Sequence, residues 1–91
     1  MLAFLQGRLA AVDKEAVTIE VSGLGFQLQV PASTLERLPA LGSEIKLHTY
    51  LAVREEGLAL YGFWGQDELA IFRSLLNVGG VGPKAALGLL S

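Results

Sequence analysis

The residues best suited to chemistry form a glycine-rich segment near the end of the printed sequence, Gly80-Val81-Gly82-Pro83-Lys84. An apolar helical run stops before it at paired glycines, and proline is typical of the first position of a following helix. Gly80 and Gly82 let the backbone turn sharply with no Cβ in the way, so the amides that open the second helix can point outward together. Such amides attract anions, and the candidate contacts to a nucleic-acid backbone phosphate are Gly80, Val81, Gly82 and Lys84, with Gly79 serving the turn.

An alternative for this segment is a tight turn between two short apolar helices with no ligand at all. If it does bind phosphate, the contact gives affinity without reading base sequence. The segment alone does not decide between the two interpretations.

A second candidate is the charged turn that contains Glu55 and Glu56. Adjacent residues of an extended chain point apart, and no histidine or further aspartate accompanies the pair, so a catalytic acid–base pair or a metal site is not expected. Taken alone, two glutamates in a turn are typical of a solvated surface.

The strand before this turn alternates, which places Lys46, His48, Tyr50 and Arg54 on one mixed and basic face. Lys46, Tyr50 and Arg54 are candidate contacts to DNA or to a neighbouring subunit, and the alternative is a plain solvated strand face. His48 has no second potential ligand nearby, so no role is assigned to it.

Charge and composition limit the function further. The 91 residues carry seven Lys and Arg against nine Asp and Glu, a net charge of −2, so any affinity for nucleic acid must come from a local patch. The absence of cysteine excludes disulfides and thiolate metal sites and fits the cytosol. With no basic leader and no apolar run long enough to span a bilayer, we expect neither secretion nor membrane insertion.

The hydrophobic content of 52% is ample for a core, and the mean hydropathy of +0.48 is high for a small monomer. We therefore expect some apolar surface to be buried against another chain.

Step-two alternation predicts strands over residues 2–12, 16–21, 26–30, 44–53 and 58–63, with a short helix over 35–38 capped by Ser33 or Thr34. Five strands, one interposed helical turn and no βαβ spacing predict a small closed antiparallel barrel of the OB type. Helical spacing then takes over at residues 66–76 and 83–90.

The fold class is therefore mainly β with a C-terminal α part, an OB-like β-barrel over residues 1–63 followed by a helix-hairpin-helix over residues 64–91. The last helix has barely two turns and is strongly apolar, so it needs a partner surface and the chain looks cut short.

Three segments, in this order and spacing, closely resemble the RuvA family of bacterial Holliday-junction-binding proteins: Val53-Arg54-Glu55-Glu56, Leu60-Tyr61-Gly62-Phe63, and Asn77 to Lys84. Gly7 and the run Gly23-Leu24-Gly25-Phe26 add to the resemblance. It covers the whole chain, and about the first half of the family's length, which is the barrel and the first helix-hairpin-helix. The combination is specific, whereas each motif alone would be weak.

The resemblance implies a barrel that tetramerises with one face toward four-way DNA, and helix-hairpin-helix motifs that hold the DNA arms by their minor-groove phosphates. It also implies that Glu55 and Glu56 form an acidic pin at the centre of the tetramer, where their repulsion of phosphate holds the junction open. Whether one or two tetramers enclose a junction stays open.

The partner implied by the resemblance is the RuvB ATPase, a motor that drives branch migration in recombination, DNA repair and the SOS response of the bacterial cytoplasm. The family binds this motor through a C-terminal domain. These residues lack that domain, and they also lack the family's second helix-hairpin-helix. The chain has no G-x-x-x-x-G-K-[ST] phosphate loop, so we expect an accessory DNA-binding subunit and not an enzyme, with no cofactor, metal or small-molecule substrate.

Two other functions remain to be weighed. A general single-strand-binding barrel would need an exposed aromatic platform, and among Tyr50, Tyr61, Phe63 and Trp64 only Tyr50 is predicted on a clearly polar face. A pure oligomerisation scaffold is the third candidate, and in that case Lys84→Glu would leave all DNA binding intact.

Overall fold

The chain forms five strands and three helices, and the computed structural model describes all 91 residues. The strands are β1 (Phe4–Val12), β2 (Ala16–Val21), β3 (Leu24–Gln29), β4 (Glu44–Arg54) and β5 (Gly57–Phe63). The helices are α1 (Ala32–Leu35), α2 (Gln66–Leu76) and α3 (Pro83–Leu89). The mainly β fold with helices at its C-terminal end is as predicted, and no helix has the length and apolar character needed to cross a membrane.

The strands close into a barrel in the order β1-β2-β3-β5-β4, which confirms the predicted closure. Four of the neighbouring pairs are antiparallel, but β3 and β5 pair in parallel where Gln29 lies opposite Tyr61. The prediction of a wholly antiparallel barrel is therefore wrong at this one seam. The reason is geometric, because strand direction cannot alternate all the way around a closed ring with an odd number of strands.

Inward-pointing aliphatic side chains fill the barrel, as the alternation predicted. The core includes Leu9, Val17, Ile19, Leu28 and Leu47, each excluded from solvent. Burying each such side chain contributes about 1.5–3 kcal/mol to folding. Gly7 marks a close approach, since a Cβ there would lie 2.3 Å from the Glu20 carbonyl oxygen of β2.

The first strands begin at other residues than predicted. β1 starts at Phe4 and not at Leu2, although the Thr49 hydroxyl still donates a hydrogen bond of 2.6 Å to the Leu2 carbonyl. β3 starts at Leu24, because the turn before it needs only Ser22 and Gly23, whose φ angles are 52° and 84°. Two residues with positive φ make the tight reversal that suits the twist of a two-residue hairpin.

The predicted cap of α1 is wrong. The helix begins at Ala32, three residues earlier than expected, with Pro31 preceding it, so Ser33 and Thr34 lie inside the helix and neither side chain caps it. Thr34 is buried, and its carbonyl accepts a hydrogen bond of 3.3 Å from the Trp64 indole. Pro31 lacks an N–H and has a fixed φ, which makes it a natural residue at a helix start.

A second apolar cluster joins α2 and α3 to the outer face of β4 and β5. Phe72 of α2 is fully buried, and its ring centre lies 4.8 Å from that of Phe63 and 5.3 Å from that of Tyr61. Ala86 and Leu87 of α3 complete the cluster. The helices thus share a core with the barrel, and the division into domains at residues 63 and 64 stays a prediction.

Candidate nucleic-acid interface

The turn between α2 and α3 depends on one glycine. The helix α2 ends at Leu76, and Gly80 then adopts a φ of 84°, a left-handed conformation that favours glycine. Gly82 is different, because its φ of −91° and ψ of 176° are open to any residue. The sequence analysis assigned the sharp turn to both glycines, and the structure assigns it to Gly80 alone.

The start of α3 presents amides that have no partner within the protein. The first hydrogen bond of the helix is donated by Ala86 to the Gly82 carbonyl at 2.9 Å, whereas the N–H groups of Lys84 and Ala85 donate to no acceptor. A Cβ built on Gly82 would meet nothing within 4 Å, so the approach to these amides is open. Lys84 is exposed beside them.

Val81 is placed differently from its neighbours. Its side chain is half-buried against the cluster beneath α2 and α3, and its N–H already donates to the Val78 carbonyl at 3.1 Å. Among the predicted phosphate contacts, Gly80, Gly82 and Lys84 remain accessible, while Val81 holds the loop against the helices.

Glu55 and Glu56 form the tip of the hairpin between β4 and β5, where Arg54 pairs with Gly57 across the turn. Both glutamates are exposed, and the turn ends at Gly57, whose φ of 136° glycine can adopt without strain. Arg54 Nη1 lies 3.9 Å from Glu56 Oε1, and Arg54 Nη2 donates a hydrogen bond of 3.1 Å to the Tyr61 hydroxyl. The tip is thus an exposed acidic point with a single guanidinium at its base.

One face of β4 was predicted to be mixed and basic. Part of this face is exposed to solvent, and part of it is covered by α2. Lys46 is exposed, with its Nζ 4.3 Å from the centre of the Phe4 ring, and His48 is half-buried opposite Phe63. Tyr50 is half-buried, and its ring centre lies 5.6 Å from that of Phe72. Tyr50, which was predicted on a polar strand face, is thus partly covered by α2, because strand periodicity identifies a face but not the helix that covers it.

The structure adds a residue that the sequence analysis missed. Lys14, in the turn between β1 and β2, lines the same groove as Lys84, a cavity of about 240 Å³ between that turn, α1 and α3. The two lysines lie in distant parts of the sequence, and no spacing or periodicity connects them. No three His, Asp or Glu residues lie close enough together to hold a metal ion.

A closed five-stranded barrel with a glycine-turned pair of helices packed on its outer face defines an OB-like barrel domain with a helix-hairpin-helix. Residues 1–62 match the family model described as the RuvA N terminal domain. The chain belongs to this family, which confirms the resemblance stated from the sequence.

Relatives from several bacteria are similar over all 91 residues. The chain is 52% identical to a protein of Symbiobacterium thermophilum, of which it covers 44%, and 47% identical to one of Chlorobaculum tepidum, of which it covers 45%. It is also 47% identical to a protein of Pseudomonas fluorescens strain Pf0-1, again over 45% of that protein. Each of the three is named Holliday junction branch migration complex subunit RuvA. The chain spans less than half the length of these relatives.

Proposed function

We propose that this chain is a DNA-binding part of a subunit that recognises four-way junctions as a tetramer and supports branch migration by a separate ATP-driven motor. The observation that carries the proposal is the presence, on one small domain, of an open cationic loop at Lys84 and an exposed acidic tip at Glu55 and Glu56. Together they attract duplex backbone in one place and repel it in another, and the names of the relatives support junction DNA as the ligand.

The attractive part is the loop from Gly80 to Lys84. The free amides of Lys84 and Ala85 and the exposed ammonium of Lys84 are suited to one backbone phosphate, and the missing Cβ at Gly82 lets that phosphate approach closely. Such a contact is indifferent to sequence, which suits a protein that must hold any DNA arm.

The repulsive part is the tip of the β4–β5 hairpin. Glu55 and Glu56 project past the end of the barrel, and Arg54 offsets only part of their charge because its Nη1 is 3.9 Å from Glu56. Carboxylates that face phosphates raise the free energy of any DNA held across them. A junction opened at its centre avoids this repulsion, whereas a continuous duplex crossing the tip does not.

Self-association is the third part of the proposal. Val53 and Leu58 are direct partners across the β4–β5 hairpin, and they are 74% and 71% exposed. An exposed aliphatic pair beside the acidic tip supports a contact between copies that would gather several tips at one centre. Four copies fit the symmetry of a four-way junction, and sedimentation of the protein at high micromolar concentration should show a species larger than the monomer.

The motor, by this proposal, is the RuvB ATPase, and it contacts the part of the relatives that this chain does not cover. The role of the present residues is accessory, in the bacterial cytoplasm, and involves binding DNA without hydrolysing nucleotide. A general single-strand-binding function gains little support, because Tyr61 and Phe63 are buried and Tyr50 packs against α2. Phe4 is an exposed aromatic ring, but it already lies against the Lys46 ammonium.

The test is a comparison of affinities by gel shift with a four-way junction, a linear duplex of the same arm sequence and a single strand. The proposal predicts that the junction binds most tightly. A preference for linear duplex or for the single strand would contradict it, and Lys84→Glu should weaken binding to all three, whereas a pure scaffold would be unaffected.

A further inference from the structure

The chain has seven Lys and Arg side chains, and the structure gives five of them a partner. Three are paired with carboxylates, namely Arg8 with Glu20, Arg37 with Glu68 and Arg54 with Glu56. Two lie over aromatic rings, namely Lys46 over Phe4 and Arg73 over Tyr50. Only the ammonium groups of Lys14 and Lys84 have no carboxylate, hydrogen-bond or ring partner.

These two unpartnered lysines line the same groove. The groove is also lined by the apolar residues Leu35 and Leu87 and by Gln29 of β3. An adjoining part of the surface is again lined by both lysines, with the amide of Gln27 added. Two cations and two amide donors along one groove suit an anion with several acceptor oxygens.

Hydrogen bonds tie the turn that carries Lys14, and the end of α3, to the chain segment that runs between them. The turn is closed by the Asp13 N–H donating to the Ala16 carbonyl at 2.8 Å, and the Val30 N–H donates to the Glu15 carbonyl at 3.0 Å. On the far side, the Ala32 N–H donates to Ser91 Oγ at 3.0 Å, and Ser91 Oγ donates to the Leu87 carbonyl of α3 at 3.1 Å. The fold therefore holds the backbone of the Lys14 turn in place relative to α3.

Two carboxylates also face the groove and must be included in its charge. Asp13 Oδ1 accepts a hydrogen bond of 2.7 Å from the Lys14 N–H, so one of its oxygens is engaged in the turn. The Glu15 carboxylate is exposed and has no partner. Glu15 therefore opposes an anion in the groove, and its neutralisation should act in the opposite direction from the loss of Lys14.

We propose that Lys14 binds a second backbone phosphate of the same DNA arm whose first phosphate is held at Lys84, with Gln29 lining the groove that the two lysines share. This inference rests on the proposed function, and it adds a contact from the barrel to the contact from the helical hairpin. Two phosphate contacts fix the direction in which a bound duplex leaves the protein, whereas a single phosphate contact leaves that direction free.

The experiment compares Lys14→Gln, Lys84→Gln and Glu15→Gln with the unaltered protein, using fluorescence anisotropy with a labelled four-way junction and a labelled duplex of the same arm sequence over a range of salt concentrations. Arg37→Gln is the matched control, since it removes the same charge from an exposed side chain outside the groove. Loss of one phosphate contact should weaken binding about five- to tenfold near 0.1 M salt and reduce the slope of log K against log salt by about 0.9. Glu15→Gln should strengthen binding.

The outcomes separate the two proposals. If the unaltered protein binds neither the junction nor the duplex, or if Lys84→Gln leaves binding unchanged, the proposed function fails. If Lys84→Gln weakens binding but Lys14→Gln behaves like Arg37→Gln in affinity and salt slope, only the second contact is overturned. The second contact is also overturned if Lys14→Gln leaves duplex affinity unchanged but makes inorganic phosphate a weaker competitor of the labelled DNA. The groove would then be a site for a free anion and not for a DNA phosphate. Thermal melting of each variant establishes that it is folded.

Discussion

Arg54 donates a hydrogen bond from Nη2 to the Tyr61 hydroxyl at 3.1 Å, and this bond links the acidic tip to the aromatic cluster beneath α2. Tyr61 is buried, and its ring packs against Phe72 with their centres 5.3 Å apart. The same guanidinium lies near the Glu56 carboxylate, so Arg54 connects Glu56 at the tip of the hairpin with Tyr61 in the core.

Tyr61→Phe should remove this hydrogen bond and keep the packing of the ring. We expect the free energy of unfolding to fall by about 0.5–1.5 kcal/mol, the usual net value of one hydrogen bond. Urea denaturation measures it, and the control is the same substitution in an Arg54→Met background. If Tyr61→Phe costs as much there as in the unaltered protein, the bond to Arg54 does not stabilise the fold.

Phe72→Ala tests the packing of the helices on the barrel. Truncation of a fully buried phenylalanine typically costs about 3–5 kcal/mol, because it removes apolar contact and leaves a cavity. Ile71→Ala on the exposed side of the same helix is the control and should cost far less. Denaturation followed by Trp64 fluorescence and by circular dichroism measures both, and equal costs for the two variants would contradict the shared core.

Phe72 also shows how far the sequence predicts the fold. Alternation correctly placed Val17, Ile19 and Leu28 in the barrel, since a strand with one buried face carries its own period. The same reasoning put Tyr50 on a polar face but did not predict that Phe72 covers it, because Phe72 lies in a later helix and nothing in the sequence of β4 indicates that contact. The fold class could be predicted from the sequence, but which surfaces are paired depended on tertiary packing.

The candidate site, like the fold, could be predicted from the sequence only in part. The glycine pattern identified the loop from Gly80 to Lys84, because a reversal between helices needs residues without a Cβ. The groove containing Lys14 could not be predicted, since it exists only where a barrel turn meets α3. The start of α1 was misplaced because Ser33 and Thr34 are good capping residues by type, and Pro31 took the position instead.

Gly82→Asp separates DNA binding from folding. Gly82 precedes the first residue of α3 with an extended φ and with open space where a Cβ would go, and aspartate is a favoured residue at that position. The variant should therefore be as stable as the unaltered protein, or slightly more stable. Its DNA affinity should nevertheless fall by about tenfold at low salt, because a carboxylate replaces bare backbone beside the phosphate.

Gly82→Ser is the matched control, since serine caps a helix equally well without adding charge. It should lose much less affinity than Gly82→Asp. Anisotropy titrations with a labelled junction, accompanied by thermal melting, measure both effects. A folded Gly82→Asp protein that binds DNA as tightly as the unaltered protein would exclude the loop as a phosphate contact.

By the proposed function, the acidic tip makes the recognition of a junction, rather than of any duplex, depend on charge. Replacing Glu55 and Glu56 with glutamine keeps their size and removes their repulsion of phosphate. Binding should tighten for every DNA, and most for a continuous duplex, which cannot avoid the tip as an open junction does. The effect should shrink in high salt, because exposed charges are screened there. If the tip is only solvated surface, both stability and binding should change little.

The junction-to-duplex affinity ratio, measured at low and high salt for the unaltered protein and for the Glu55→Gln, Glu56→Gln double variant, is the most direct test. We predict a ratio above one for the unaltered protein at low salt, and a ratio several-fold closer to one for the double variant, whose total affinity is higher. A ratio near one for the unaltered protein, or the same ratio for both proteins, would contradict junction recognition by phosphate attraction at Lys84 and repulsion at Glu55 and Glu56.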